Sequence, residues 1–246
     1  MPYPLAAVRP HGSSAPLSLA GIAAYSPYVW MDATRYVGSD GDAIASATDY
    51  GSLGGSFAQS TAGKKPTYRP TGINSKPAFQ FDGGDCLTQA SVALGGFTAI
   101  ILFQASANGL VYEHCQPGTQ DGSYLYTDVT FTISTRRGAV GNSKNHTANW
   151  GIGSTNRIVR HQYGGTNALH KLWINSADAG LATIVAVDPG TGTSSDDNTF
   201  NIGARNNAAS AGLTGHIAQL LFFTPVLSDA NAAAVEAIIN AYYSVF

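Results

Sequence analysis

The stretch Tyr68-Arg69-Pro70-Thr71-Gly72-Ile73-Asn74-Ser75-Lys76-Pro77-Ala78-Phe79-Gln80-Phe81-Asp82-Gly83-Gly84-Asp85-Cys86-Leu87 decides how the chain folds. In an extended segment side chains alternate, so Phe79 and Phe81 share one face while Ala78 and Gln80 share the other. An acidic Gly-Gly turn follows, and its aspartates shape the turn by hydrogen-bonding the nearby backbone. The segment reads as a core strand entering a hairpin.

Runs of the same kind recur on both sides of it. Tyr28 to Ala33 is the first, and a polar passage from Ser39 to Lys65 separates it from the opening stretch. Further β-like runs begin at Phe97, Leu110, Ser123, Val129, Arg157, Leu169, Ala182, Phe200 and Gly215, divided by turn signals such as Asn108-Gly109, Asp121-Gly122 and Pro189-Gly190. Many short strands so punctuated predict an antiparallel two-sheet sandwich. The end of the chain differs. Ser228 can cap a helix, and Val235, Ile238, Ile239 and Tyr242 then fall at helical spacing, which predicts one helix over 228–244 laid on the sandwich.

With 246 residues and no sign of a second core, one domain over 25–246 is expected, preceded by an extended arm at 1–24 rich in Pro, Ala and Ser. The arm's Leu5, Val8, Leu17, Leu19 and Ile22 suit docking on a partner better than free solvation. The start of the chain lacks the basic and apolar segments of a signal peptide, and no apolar run is long enough to span a bilayer, so a soluble chain without membrane insertion is expected.

A formal net charge of -2 leaves no electrostatic footprint for nucleic acid, which is recognised through clustered Lys and Arg. Arg136 with Arg137, and Arg157 with Arg160, read as a solvated strand face. Cys86 and Cys115 lack metal-ligand spacing; they read as two buried thiols, with one disulfide as the alternative.

The order of four features resembles the concanavalin A-like, laminin-G-type jelly roll of bacteriophage virion proteins and secreted bacterial proteins. They are Val29-Trp30-Met31-Asp32-Ala33, the passage from Tyr68 through Gly83, the run Phe97 to Phe103, and Leu213 to Phe223 leading into Leu227-Ser228-Asp229 and the closing helix. Two positions depart from the family pattern: Ser75 stands where Gly usually follows Asn, and Gln219 where Glu is frequent. The resemblance implies two curved antiparallel sheets with glycan or protein ligands on the concave face or rim loops, calcium in some members and polysaccharide hydrolysis in one branch.

Glycosidase chemistry needs two carboxyl groups at one bond. The chain has two glutamates, Glu113 and Glu236, in different elements, and its close aspartate pairs all lie in turns. No Gly-x-Ser-x-Gly elbow, phosphate loop or His-x-x-x-His pair is present. No enzyme is therefore expected. Asp40 and Asp42 offer hard oxygens of the kind calcium prefers, with a solvated turn as the alternative. For a glycan, the loop carrying Asn142, Asn145, His146, Asn149 and Trp150 combines amides with an aromatic platform, the alternative being that Trp150 opens a buried strand. Trp30 and Trp173 read as core.

Together these point to a non-enzymatic virion surface protein, a capsid decoration protein or tail adhesin, docked through its arm onto other virion proteins and exposing a lectin-like domain towards a host surface glycan. In that setting a homo-oligomer such as a trimer is expected. The second reading is a secreted bacterial carbohydrate-binding module, and the third a divergent polysaccharide-degrading enzyme.

Overall fold

The computed structural model describes residues 18–115, 122–128, 131–137, 140–146, 153–164, 170–180, 182–183, 198–205 and 210–246. They form two antiparallel sheets packed face to face, as the punctuated strands predict. The first sheet runs in the order β14 (Ala177–Asp178), β13 (Lys171–Ile174), β12 (Arg157–Tyr163), β7 (Phe97–Ala105), β17 (Thr214–Phe223), β5 (Lys76–Asp82) and β4 (Thr67–Ile73). β1 (Val29–Asp32) pairs with the second half of β17, beyond the residues that pair with β5. The second sheet runs β15 (Ala182–Thr183), β11 (Val140–His146), β10 (Phe131–Arg137), β9 (Gly122–Thr127), β8 (Gly109–Cys115), β16 (Asn198–Ile202), β6 (Leu87–Val92), β3 (Ser56–Ala58) and β2 (Ser46–Thr48).

Phe79 and Phe81 are buried between the sheets with Phe57, Tyr112, Phe200 and Phe222. Ala78, on the other face of β5, lies in a second core formed by the outer side of the first sheet and the helix α1 (Asp229–Tyr243). The first sheet is thus covered on both faces, which explains why β7 and β17 read as nearly continuous apolar runs rather than alternating ones. α1 begins where the sequence places it, with the Ser228 hydroxyl accepting from the Asn231 amide.

The hairpin lies one turn earlier than the sequence reading puts it. β4 and β5 are joined by Asn74-Ser75, both at positive φ (45° and 59°), as a two-residue hairpin turn of the primed type requires. The Gly83-Gly84 turn instead carries the chain from the first sheet to β6 of the second. Its aspartates do shape it: Asp85 Oδ2 accepts from the Asp82 amide, and Asp82 Oδ1 accepts from the Gly84 amide. Elsewhere, Gly203 (φ 87°) lies so close to the Phe81 ring that a Cβ there would fall 2.2 Å from it. Ser75 occupies a left-handed position that strains a side-chain-bearing residue. Ser75→Gly is expected to stabilise the protein by roughly 0.5–1 kcal/mol, and an unchanged or lower urea midpoint would contradict this account of the turn.

The arm's last residues belong to the folded domain. Leu19–Tyr25 forms a 3-10 helix capped by Ser18, and Leu19 and Ile22 are buried against α1 in the second core. They are therefore not available for docking on a partner, because the chain's own helix covers them. Leu5, Val8 and Leu17 lie outside the described residues. Arg157 and Arg160 also differ from expectation: both are buried on β12 rather than solvated. Arg160 lies on the face that α1 covers, where it pairs with Glu236, and Arg157, three residues earlier, lies on the opposite face and donates to the Thr155 carbonyl. Trp173 is half-buried, with the Arg160 guanidinium 3.6 Å above its ring, whereas Trp30 is buried as expected. Cys86 is buried; the Cys115 side chain lies outside the described residues.

The core holds neutral histidines. His114 Nε2 lies 2.5 Å from the Val92 carbonyl, and burial pushes the ring down to about 4. His161, between the Tyr112 hydroxyl (2.8 Å) and His170 (3.2 Å), is held well below the usual range, first by burial and then by His170. Below pH 6.5 the unfolded chain takes up protons at these positions while the folded one does not, so stability falls with pH. His114 alone accounts for about 3 kcal/mol between pH 6.5 and 4. Asp85 acts oppositely: burial pushes its carboxyl up to about 6, so it favours the folded state as pH drops from there towards 4. The urea midpoint of the wild type is expected to drop more steeply over this range than that of His114→Leu. Parallel curves for the two proteins would contradict the assignment.

Candidate functional site

Asp32 ends β1 and caps the 3-10 turn Ala33–Arg35, its Oδ1 accepting from the Thr34 amide (2.9 Å) and hydroxyl (2.7 Å). The same oxygen accepts from Gln219 Nε2 at 2.5 Å, and Gln219 Oε1 accepts from the Trp30 indole at 3.0 Å. The Tyr243 hydroxyl, 3.3 Å from Gln219, ties α1 into this buried network. Here the amide suits its place: its nitrogen donates to Asp32 and Tyr243 while its oxygen accepts from Trp30. A glutamate, as the resembling family often has, would set a second buried carboxylate beside Asp32.

The turn aims Arg35 back along the chain. Its Nε lies 3.2 Å from Asp32 Oδ2, whose side chain is wholly buried, while the Arg35 side chain is 37% exposed. The guanidinium carbon lies over the rings of Trp30 (4.1 Å) and Tyr50 (4.6 Å), which meet each other edge-on. Two rings and one ion pair fix its plane, and its two terminal nitrogens have no hydrogen-bond partner among the described residues. Such a planar fork suits bidentate recognition of a carboxylate.

Arg35 opens onto a cleft of about 310 Å³ lined also by Tyr36, Val37, Ser46, Thr48, Tyr50 and Phe79. The cleft lies on the rim of the sandwich, where β2 is the outermost strand of the second sheet. Tyr36 is braced against Tyr68 (5.0 Å) and Phe79 (5.6 Å). Ser46 and Thr48, on one strand two residues apart, are both exposed, and Val37 is 95% exposed at the mouth.

Asp40 and Asp42, the expected metal ligands, are not part of this cleft's lining. Asp40 Oδ1 is paired with Arg69 at 3.2 Å, and Asp42 Oδ2 accepts from the Ser39 amide at 2.7 Å. Both carboxylates thus have partners in the fold, and among the described residues no three His, Cys, Asp or Glu side chains gather as a metal site. Asn149 and Trp150 lie outside the described residues. Asn142, Asn145 and His146 are on β11, whose side chains are not described; Asn142 registers with Thr135 and Asn145 with Thr132. Across the second sheet Asn201, Glu113 and Tyr124 are in register, and Glu113 holds Arg205 at 2.5 Å. Glu236 lies on α1, against the first sheet. The two glutamates therefore sit in different layers, each with an arginine partner.

Sequence reading passed over the cleft because Asp32 and Arg35 sit at the end of a strong strand and Tyr50 lies in a passage read as turns. The available signal was an arginine three residues after an acidic strand end, flanked by Trp30 and Tyr36.

No family model matches the chain, and no curated protein sequence matches it. Solved structures do. The botulinum neurotoxin type G receptor binding domain matches 87% of the chain at a TM-score of 0.60 and 9% identity. The serotype D binding domain matches 89% at 0.56 and 12% identity. A looser match, at 0.47 and 10% identity over 63% of the chain, is the NanB sialidase of Streptococcus pneumoniae. The chain spans about half the length of the toxin domains, 51% and 52%, and 27% of the sialidase. At these identities the likeness shows the fold alone: an antiparallel jelly-roll sandwich.

Proposed function

We propose that the chain is a carbohydrate-binding domain that works without catalysis. The observation that carries this is the match of its sandwich, over 89% of the chain at a TM-score of 0.55, to a neurotoxin serotype D ligand binding domain in complex with N-acetylneuraminic acid. The placement of Glu113 and Glu236 in separate layers supports the non-catalytic part, since glycoside hydrolysis needs two carboxyl groups across one bond. The rim cleft supports binding: it combines aromatic rings, hydroxyls and a charged donor, the mixture that covers a sugar's apolar face and pairs with its polar groups. Two of the residues expected to dock in a virion placement, Leu19 and Ile22, serve the chain's own core.

The test is a glycan array with the purified protein, together with a reducing-end assay on the polysaccharides tried. Binding to a defined glycan class without release of reducing ends is the expected result. No binding to any glycan overturns the reading, and release of reducing ends replaces it with an enzyme.

A further inference from the structure

We propose that the rim cleft is the glycan site and that Arg35 takes the carboxylate of an acidic sugar there, which makes Arg35 the residue that separates acidic from neutral ligands. This rests on the carbohydrate-binding reading and adds to it a place and a ligand class.

Asp32 lines the cleft, but its side chain is wholly buried: Oδ1 is taken by Thr34 and Gln219, and Oδ2 faces Arg35. The acid neutralises part of the arginine's charge and holds it still without presenting an acceptor. Asp49, the nearby buried acid on the chain, turns its Oδ1 to the amides of Trp30 and Gly51 and is not part of the lining. Arg35 therefore presents two terminal nitrogens without a partner among the described residues, in a cleft that Ser46 and Thr48 also line. An arginine fork is donor only, and the matching ligand group is a planar acceptor with two oxygens.

The guanidinium is also preorganised. It lies against the rings of Trp30 and Tyr50, and the Trp30 indole is anchored in turn by Gln219. Little freedom is lost when a carboxylate arrives, so more of the contact appears as affinity. The volume, about 310 Å³, is at the small end of the range for ligand sites, which fits a single terminal sugar rather than a run of chain. Tyr36 and the exposed Val37 supply apolar contact for the ring and its substituents.

Isothermal titration of the intact protein with α2,3-sialyllactose and with lactose tests this. The acidic sugar is expected to bind about 10- to 100-fold more tightly, the range for one charge-assisted contact. Arg35→Gln is expected to abolish the difference. Thr48→Phe, which fills the cleft from an exposed edge-strand position and leaves the Arg35–Asp32 pair intact, is expected to lose both sugars, and it decides the matter if Arg35→Gln does not fold by thermal melting. Equal affinity for the two sugars, or no sialyllactose binding by the wild type, overturns the choice of an acidic sugar. Glycan binding undisturbed by Thr48→Phe overturns the cleft as the site while leaving the carbohydrate-binding reading in place, and only a blank array removes both.

Discussion

Arg160→Met is expected to destabilise the protein by about 3–5 kcal/mol at neutral pH, the usual cost of leaving one member of a buried ion pair alone. Arg160 Nε lies 3.2 Å from Glu236 Oε1, with side-chain exposures of 4% and 0%. Burial pushes the glutamate up and the arginine down, in each case more strongly than the partner's charge pulls back. The pair is thus held by its surroundings: Trp173 stacks under the guanidinium, Ser176 donates to Glu236 Oε2 at 2.7 Å, and Asp229 stands 3.6 Å from Arg160. Removing the arginine leaves a carboxylate with one hydroxyl partner in a dry layer. Because that carboxylate can take a proton, the loss is expected to be smaller at pH 5 than at pH 8. The double variant Arg160→Met with Glu236→Leu is expected to recover most of the loss, since no unpaired charge is left. Urea unfolding of the three proteins at both pH values is the check. A loss below about 1 kcal/mol for the single variant would place this pair with exposed ones.

Phe222→Ala is expected to cost a similar amount, about 3–5 kcal/mol, for a different reason. Phe222, on β17 of the first sheet, meets Tyr112 (4.9 Å) and Phe200 (5.0 Å) of the second edge-on, with Phe97 at 5.4 Å. Its truncation removes buried area and aromatic contacts together and leaves a cavity at the join of the two sheets. Because the lost contacts bridge the layers, thermal unfolding should stay cooperative with a lower midpoint. Two separate transitions would show that the sheets do not depend on this cluster.

These two sites differ in how far the sequence reveals them. Phe222 stands in an apolar run that announces a core strand, and Phe79 with Phe81 does the same through simple alternation. Glu236 and Arg160 each look solvated on their own elements: a glutamate in an amphipathic helix, an arginine in a strand of mixed residues. Only the docking of α1 across β12 makes them a buried pair. Leu19 and Ile22 were legible as apolar residues that need cover, yet nothing local says that the cover is the chain's own last helix.

The candidate site was less legible still. Asp32 and Arg35 are neighbours in sequence, but Tyr50 comes fifteen residues after Arg35 and Gln219 comes from the other end of the chain. By itself the sequence determined the class of the fold, most of the strands, the closing helix with its Ser228 cap, and the absence of a glutamate pair in one element, because alternation, helical spacing and turn chemistry are properties of short segments. The tertiary structure alone decided that Asn74-Ser75 and not Gly83-Gly84 makes the hairpin, that β16 lies between β8 and β6, and that Arg35 is held against two rings beside a cleft. Those outcomes depend on which distant segments share one layer, and pairings of that range leave no local pattern to read.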